Sequence, residues 1–260
     1  MLDERLVKAL HVEALRREDV HAEREPHVLF QASTIGALLV GAYDGDVSFG
    51  QLAEHGDLGL GTLNGLDGEM IALDGRFYRA DVDGAVTEVD GSTRTPFAVL
   101  VWFAPSVELE IDGPLAHDGI LALLDKRIPP GTSACAVRLD GAFELIKARS
   151  VPRQHAPYRP LGEVVSEQHV FELADVDGTV VGFRFPDYSE GIEVSGYHLH
   201  FISADRSRGG HVLECRPRNA RAGIDLSTAL HLELPPGVSL SAPELSREAH
   251  ETLERVEHAG

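Results

Sequence analysis

Asp-Gly dipeptides cut much of this chain into short β-patterned runs, and that punctuation constrains the fold more than any other feature. The runs 58–64, 69–73, 76–79 and 86–89 are separated by Asp67-Gly68, Asp74-Gly75 and Asp83-Gly84. These dipeptides accept the positive φ angles that tight hairpin turns demand. Two more, Asp140-Gly141 and Asp177-Gly178, predict further hairpins: the first joins 135–139 to 143–149, the second joins 165–173 to 179–184. Residues 95–103 read as a buried strand, and 192–203, 211–216 and 229–234 as longer antiparallel strands.

Helical signals lie in the first half and at the extreme end. Ser33 is placed to cap a short helix over 34–42, and a second covers 48–54 before Gly56. Leu115, Ile120, Leu121 and Leu124 fall on one helix over 114–127, stopped by Pro129-Pro130-Gly131. Ser241-Ala242-Pro243-Glu244 is a capping box that opens a terminal helix running to about 256. The charge-rich segment 3–25 carries Leu6, Ala9, Leu10 and Leu15 near helical spacing and predicts a solvated helical extension. Together these elements predict a mixed α/β (α+β) fold in three parts. A charged extension over 1–27 precedes an α/β domain with a mixed sheet over 28–150, and an antiparallel β domain with the terminal helix covers 151–260.

One stretch carries chemistry. In Gly196-Tyr197-His198-Leu199-His200-Phe201-Ile202, strand alternation puts His198 and His200 on one face and Tyr197, Leu199 and Phe201 on the other. The polar loop 204–210 has hairpin composition and leads to His211. A symmetric hairpin sets His200 opposite His211, with Cβ atoms about 5 Å apart. Three neutral imidazoles converging in this way suit zinc with a fourth position open. A triad of this kind does not by itself specify a reaction, since carbonic-anhydrase-like and cupin-like sites use similar strand-borne histidines.

Composition narrows the function classes. A net charge of −19 leaves no excess of Lys and Arg to neutralise phosphates, which argues against nucleic acid and against an anionic membrane. Cys135 and Cys215 are too far apart for metal-ligand spacing and too few for a disulfide framework. There is no signal-like apolar run near Met1, and no stretch approaches the about 18 apolar residues of a membrane span. A cytoplasmic setting is the expectation.

Several segments resemble the α-acetolactate decarboxylase family. They are Phe30-Gln31-Ala32-Ser33-Thr34, Gly41-Ala42-Tyr43-Asp44-Gly45-Asp46, residues 54–64, Leu66-Asp67-Gly68-Glu69-Met70-Ile71, Thr95-Pro96-Phe97-Ala98, Arg149-Ser150-Val151-Pro152-Arg153-Gln154 and the histidine hairpin. The resemblance runs from about Phe30 to Glu257, with order and spacing kept throughout. It implies an α/β N-terminal domain, a barrel-like antiparallel C-terminal domain and a homodimer. It also implies metal-dependent decarboxylation of 2-acetolactate to (R)-acetoin with no organic cofactor. Carried over by motif, the metal ligands fall on His198, His200 and His211, and the functional glutamates on Glu69 and Glu257. The active-site arginine falls on Arg149 and an active-site threonine on Thr62.

The chemistry suits these residue types. Acetolactate carries a carboxylate, a tertiary hydroxyl and a ketone, and loss of CO2 leaves an enediolate. Zinc that chelates the hydroxyl and ketone oxygens stabilises that charge. A guanidinium holds a carboxylate by paired hydrogen bonds, and either glutamate is a candidate to deliver a proton to one face. Two other classes fit the same triad: a cupin-like isomerase or lyase, and a non-enzymatic protein with a structural zinc. The glycine-rich stretch 59–65 lacks the lysine and the strand-to-helix context of a phosphate-binding loop.

Overall fold

The turn chemistry works where glycine must adopt positive φ. At Asp74 (φ 54°) and Gly75 (φ 75°), a two-residue turn joins two strands of five residues each. The computed structural model describes residues 10–15, 24–132, 134–189 and 191–234. Its first nine strands are β1 (His11–Leu15), β2 (Val28–Ala32), β3 (Val47–Ser48), β4 (Leu58–Thr62), β5 (Glu69–Leu73), β6 (Arg76–Ala80), β7 (Val86–Glu88), β8 (Arg94–Thr95) and β9 (Ala98–Val101). Then come β10 (Val107–Asp112), β11 (Ala134–Ser150), β12 (His169–Phe185), β13 (Gly196–Ser203), β14 (Gly209–Ser227) and β15 (Ala229–Glu233). Among the described residues the α-helices are α1 (Ile35–Leu39), α2 (Phe49–Leu52), α3 (His117–Asp125) and α4 (Leu161–Val165). The fold is mixed α and β and dominated by strands.

Two large sheets result. One has eight strands in the order β1-β15-β2-β9-β4-β5-β6-β7, the other five in the order β10-β14-β11-β12-β13. β13 also pairs with the start of β14 over His200–Ile202. The sheets exchange strands across residue 151: β10 and β11 enter the five-stranded sheet from before it, and β15 enters the eight-stranded sheet from after it.

Alternation along the strands decides which side chains lie between the sheets. Leu58 and Leu60 of β4 and Ile71 and Leu73 of β5 join one apolar core with Val181 and Phe183 of β12 and Ile202 of β13. The opposite face of the eight-stranded sheet, including Met70, Ala72, Ala98 and Leu100, packs on Phe49 and Leu52 of α2. The opposite face of the five-stranded sheet, including Val137, Leu199 and Phe201, packs on Ile120 and Leu124 of α3. Both sheets are thus covered on both faces, which explains why β4, β5 and β9 are buried along their whole length.

Several expectations are corrected. Asp140-Gly141 and Asp177-Gly178 are not turns but lie inside the 17-residue strands β11 and β12. They meet in the ladder, where Gly141 pairs with Gly178 and Asp140 with Thr179. Glycine is needed there for close approach. A Cβ on Gly178 would sit 2.5 Å from the Ile202 carbonyl oxygen and from the Phe201 ring. Asp140 is held in place by Arg138 Nε at 2.7 Å and the Thr179 hydroxyl at 2.8 Å, so it satisfies a sheet surface instead of a turn.

The expected N-terminal helix is also corrected. Residues 11–15 form β1, a parallel edge strand on β15, because ladder pairing there outweighs a weak helical pattern; residues 3–9 and 16–23 lie outside the described residues. The first helix begins one residue later than expected. Ser33 has φ 64° and Thr34 is the cap, its hydroxyl accepting from Ala37 N–H at 3.2 Å. The expected strand over 165–173 forms from His169 onward as the start of β12, whereas Val165 is the last residue of α4. Helix α2 begins at Phe49 with a full capping box between Ser48 and Gln51. The terminal helix expected over 241–256 lies outside the described residues.

Candidate metal centre and active site

The histidine hairpin forms in the expected register. His200 on β13 pairs directly with His211 on β14, and Arg149 on β11 pairs with His211 from the other side. His198 and His200 share the parity of Ile202, which belongs to the core between the sheets, while Leu199 and Phe201 belong to the core under α3. The imidazoles therefore point toward the eight-stranded sheet. Their ring centroids form a near-equilateral triangle with sides of 5.2, 5.1 and 5.3 Å. All three are buried, and one candidate ligand atom from each lies within 4.8 Å of the others.

The facing wall comes from β4 and β5. Thr62 and Glu69 are paired across that ladder and share the parity of Leu60 and Ile71, which turns both side chains toward the histidines. Glu69 Oε1 accepts from Arg149 Nη1 at 3.3 Å, and its Oε2 lies 3.7 Å from His200 Nε2. Glu69 and Arg149 are only 7 % and 5 % exposed, so the carboxylate and guanidinium neutralise each other across the gap between the sheets. The Thr62 hydroxyl donates to the Gly68 carbonyl at 2.8 Å, which fixes the loop before Glu69, and Thr62 itself lines the cavity.

His200 shows what such a group can do. Its Nδ1 lies 2.8 Å from the Met70 carbonyl oxygen, an acceptor only, so Nδ1 carries the proton and Nε2 carries the lone pair. That buried Nε2 makes no hydrogen bond. Burial, and secondarily the neighbouring His198, hold this imidazole well below its ordinary pKa, against a weaker opposing pull from the Met70 carbonyl. It is neutral at physiological pH, the form that ligates a metal. A buried imidazole with its lone pair directed inward, beside two more, fits a nitrogen-ligated divalent ion.

A cavity of about 50 Å³ opens on this constellation. Thr62, Glu69, Arg149, His198 and His211 line its polar side, and Leu38, Phe97, Leu161 and Val165 are among the residues of its apolar side. The site thus gathers His198, His200, His211, Glu69, Arg149 and Thr62 from two sheets. Glu257 lies outside the described residues. Sequence reasoning missed two contributors. Glu193 is fully buried, with Oε1 3.6 Å from His198 Nδ1, and the Met70 carbonyl orients His200. Neither carries a motif: one is a lone carboxylate before a strand, the other a main-chain group. The apolar wall from α1 and α4 was equally hidden, because these five-residue helices display no periodic stripe.

The α-acetolactate decarboxylase family profile matches residues 29–247. Over 234 residues, 90% of each chain, the sequence is 44% identical to an α-acetolactate decarboxylase of Methylococcus capsulatus. It is 39% identical to one of Bacillus subtilis over 80% of this chain and 81% of that one. The X-ray structure of α-acetolactate decarboxylase from Bacillus subtilis strain 168 superposes with a TM-score of 0.83, covering 89% of this chain and 99% of that one at 36% identity. With this breadth of agreement in sequence and fold, the chain belongs to the α-acetolactate decarboxylase family and is a carboxy-lyase.

Proposed function

We propose that this chain converts 2-acetolactate to (R)-acetoin, with one zinc ion held by His198, His200 and His211 and with Arg149, Glu69 and Thr62 acting on the substrate. The observation that carries this reading is the three-imidazole cluster facing a buried glutamate and arginine across one small, half-apolar cavity. The metal, when bound, supplies Lewis acidity toward the substrate's hydroxyl and ketone oxygens. Arg149 binds the substrate carboxylate through paired N–H groups. Once Arg149 turns to the substrate carboxylate, Glu69 is released from that ion pair, takes up a proton from solvent and delivers it to the reacting carbon after CO2 departs. The apolar wall accepts the two methyl groups and excludes water, so the planar carbon left by decarboxylation meets its proton donor on one face only. The Thr62 oxygen orients the substrate from the same wall as Glu69. Glu257 is a second proton-donor candidate on the family resemblance, and deletion of 257–260 tests it: full activity in the truncated protein removes it from the reaction.

A structural zinc needs four protein ligands in a closed site, and the cavity beside the three imidazoles favours a catalytic one. Pairing of β13 with both β12 and β14 supports a barrel-like reading of the five-stranded sheet. A homodimer in the cytoplasm completes the proposal, and no helix among the described residues is long and apolar enough to cross a membrane. The deciding experiment is incubation with racemic acetolactate, acetoin being followed by chiral chromatography alongside elemental analysis of the protein. Release of (R)-acetoin with near-stoichiometric zinc is expected. A zinc-loaded protein that leaves acetolactate untouched overturns the substrate, and activity in a metal-free protein overturns the metal.

A further inference from the structure

A fully buried carboxylate outside the predicted site faces one of the three imidazoles. Glu193 is 0 % exposed, and its Oε1 lies 3.6 Å from Nδ1 of His198. Its position is fixed from several sides. The Val194 amide donates to Oε1 at 3.0 Å, and the Glu193 amide donates to the Ser189 carbonyl at 3.2 Å. The preceding residues are pinned to the wall of the cavity. Ile192 O accepts from Gln31 Nε2 at 2.7 Å and from Ile35 N–H at 3.0 Å, and Gly191 O accepts from Gly36 N–H at 3.2 Å. The chain therefore spends a side-chain amide of β2 and two main-chain amides of α1 to pin the segment that carries this carboxylate.

We propose that Glu193 is a positioning residue for the metal centre. It fixes His198 in the tautomer with the proton on Nδ1, so that Nε2 presents its lone pair to the ion. The inference rests on the zinc reading of the triad. An anion beside Nδ1 favours a proton there and raises the basicity of the other ring nitrogen. The neighbouring ligand obtains the same tautomer from a neutral group, the Met70 carbonyl at 2.8 Å from His200 Nδ1. The two histidines of the His-x-His pair are thus oriented from different elements: His200 by β5, and His198 by the segment pinned on α1.

Glu193→Gln separates positioning from a purely structural role. The amide keeps an oxygen for the Val194 N–H and nearly the same volume, but it has no charge. Zinc affinity, measured by competition with a chromogenic chelator, is expected to fall about tenfold or more. The visible spectrum of the cobalt-substituted protein is expected to change while the melting temperature stays close to wild type. Affinity within twofold of wild type with an unchanged cobalt spectrum overturns the proposal. A second measurement needs no variant: in zinc-loaded wild-type protein, nitrogen–proton correlation NMR is expected to show His198 protonated at Nδ1 and metal-shifted at Nε2, and metal at Nδ1 refutes the assignment. Wild-type protein that binds no zinc, or a His198→Ala protein that keeps it, defeats the zinc reading itself; normal wild-type binding with an indifferent Glu193→Gln defeats only the role of Glu193.

Discussion

The two walls of the cavity are built on different logic. The five-stranded sheet supplies nitrogen: His198, His200 and His211 on a hairpin, and Arg149 on the neighbouring strand in register with His211. The eight-stranded sheet supplies oxygen: Thr62 and Glu69, paired on β4 and β5. The triad in the nitrogen wall is local, since it spans one hairpin whose geometry follows from alternation and loop length, and only Arg149 comes from a distant strand. The oxygen wall reaches its partners only because the core between the sheets clamps Leu60 and Ile71 against Val181 and Ile202. On the proposed function the first wall binds metal and the second handles protons, and both halves of that proposal are open to direct test.

The largest expected effect is on the nitrogen wall. His200→Ala should lose its bound metal and at least about a thousandfold in activity, since metal stabilisation of developing charge is worth several kcal/mol. Elemental analysis and acetoin release check this together, and a His200→Ala protein that keeps near-stoichiometric zinc refutes the triad. Glu69→Gln should slow turnover by about 10²- to 10³-fold, or erode the stereochemistry of acetoin, while retaining metal. Loss of metal in that variant would erase the division of labour between the walls. Normal rate and purity would move the proton donor elsewhere.

Arg149→Lys should keep metal and lose about a hundredfold in kcat/KM, because a point charge cannot reproduce a two-pronged contact. Near-full turnover would remove the paired-contact role. The same wall should tolerate Lys far better than Met at this position. Without its cationic partner, the buried Glu69 carboxylate is expected to cost about 3–5 kcal/mol, read from urea unfolding.

Smaller effects sharpen the comparison away from the chemistry. A Cβ on Gly61 would lie 2.3 Å from the Phe97 carbonyl oxygen, and one on Gly178 would lie 2.5 Å from the Ile202 carbonyl oxygen. Alanine at either should cost about 1–3 kcal/mol in unfolding experiments. Gly61→Ala should also reduce activity, because Gly61 lines the cavity, whereas Gly178→Ala should act on stability alone. The smallest effect concerns the thiols. Burial pushes the thiols of Cys135 and Cys215 up to about 12, so both stay protonated at pH 8. Neither should react with a disulfide reagent until the protein is unfolded in urea, and rapid labelling of the native protein would contradict the packing of the core beneath α3.

What could be read without coordinates was whatever depends on neighbours in sequence. Alternation put His198 and His200 on one face, the loop placed His211 opposite, and Asp74-Gly75 closed a two-residue hairpin. The family motifs located Glu69, Thr62 and Arg149, and their meeting in one cavity is a fact of three dimensions. Asp140-Gly141 and Asp177-Gly178 misled because a glycine that permits a turn and a glycine that permits close strand approach look alike in sequence. Residues 11–15 became a strand because β15, more than 200 residues later, offers a parallel edge whose hydrogen bonds outweigh a weak helical preference. Glu193 and the Met70 carbonyl escaped notice for the same reason: what they do is defined by which imidazole nitrogen lies beside them. The sequence by itself determined the histidine triad, its shared strand face and the Asp74-Gly75 turn, all set by backbone geometry over a few residues. The tertiary structure decided which carboxylates and carbonyls face those imidazoles, because that choice is made by the packing of two sheets whose contacting residues lie far apart along the chain.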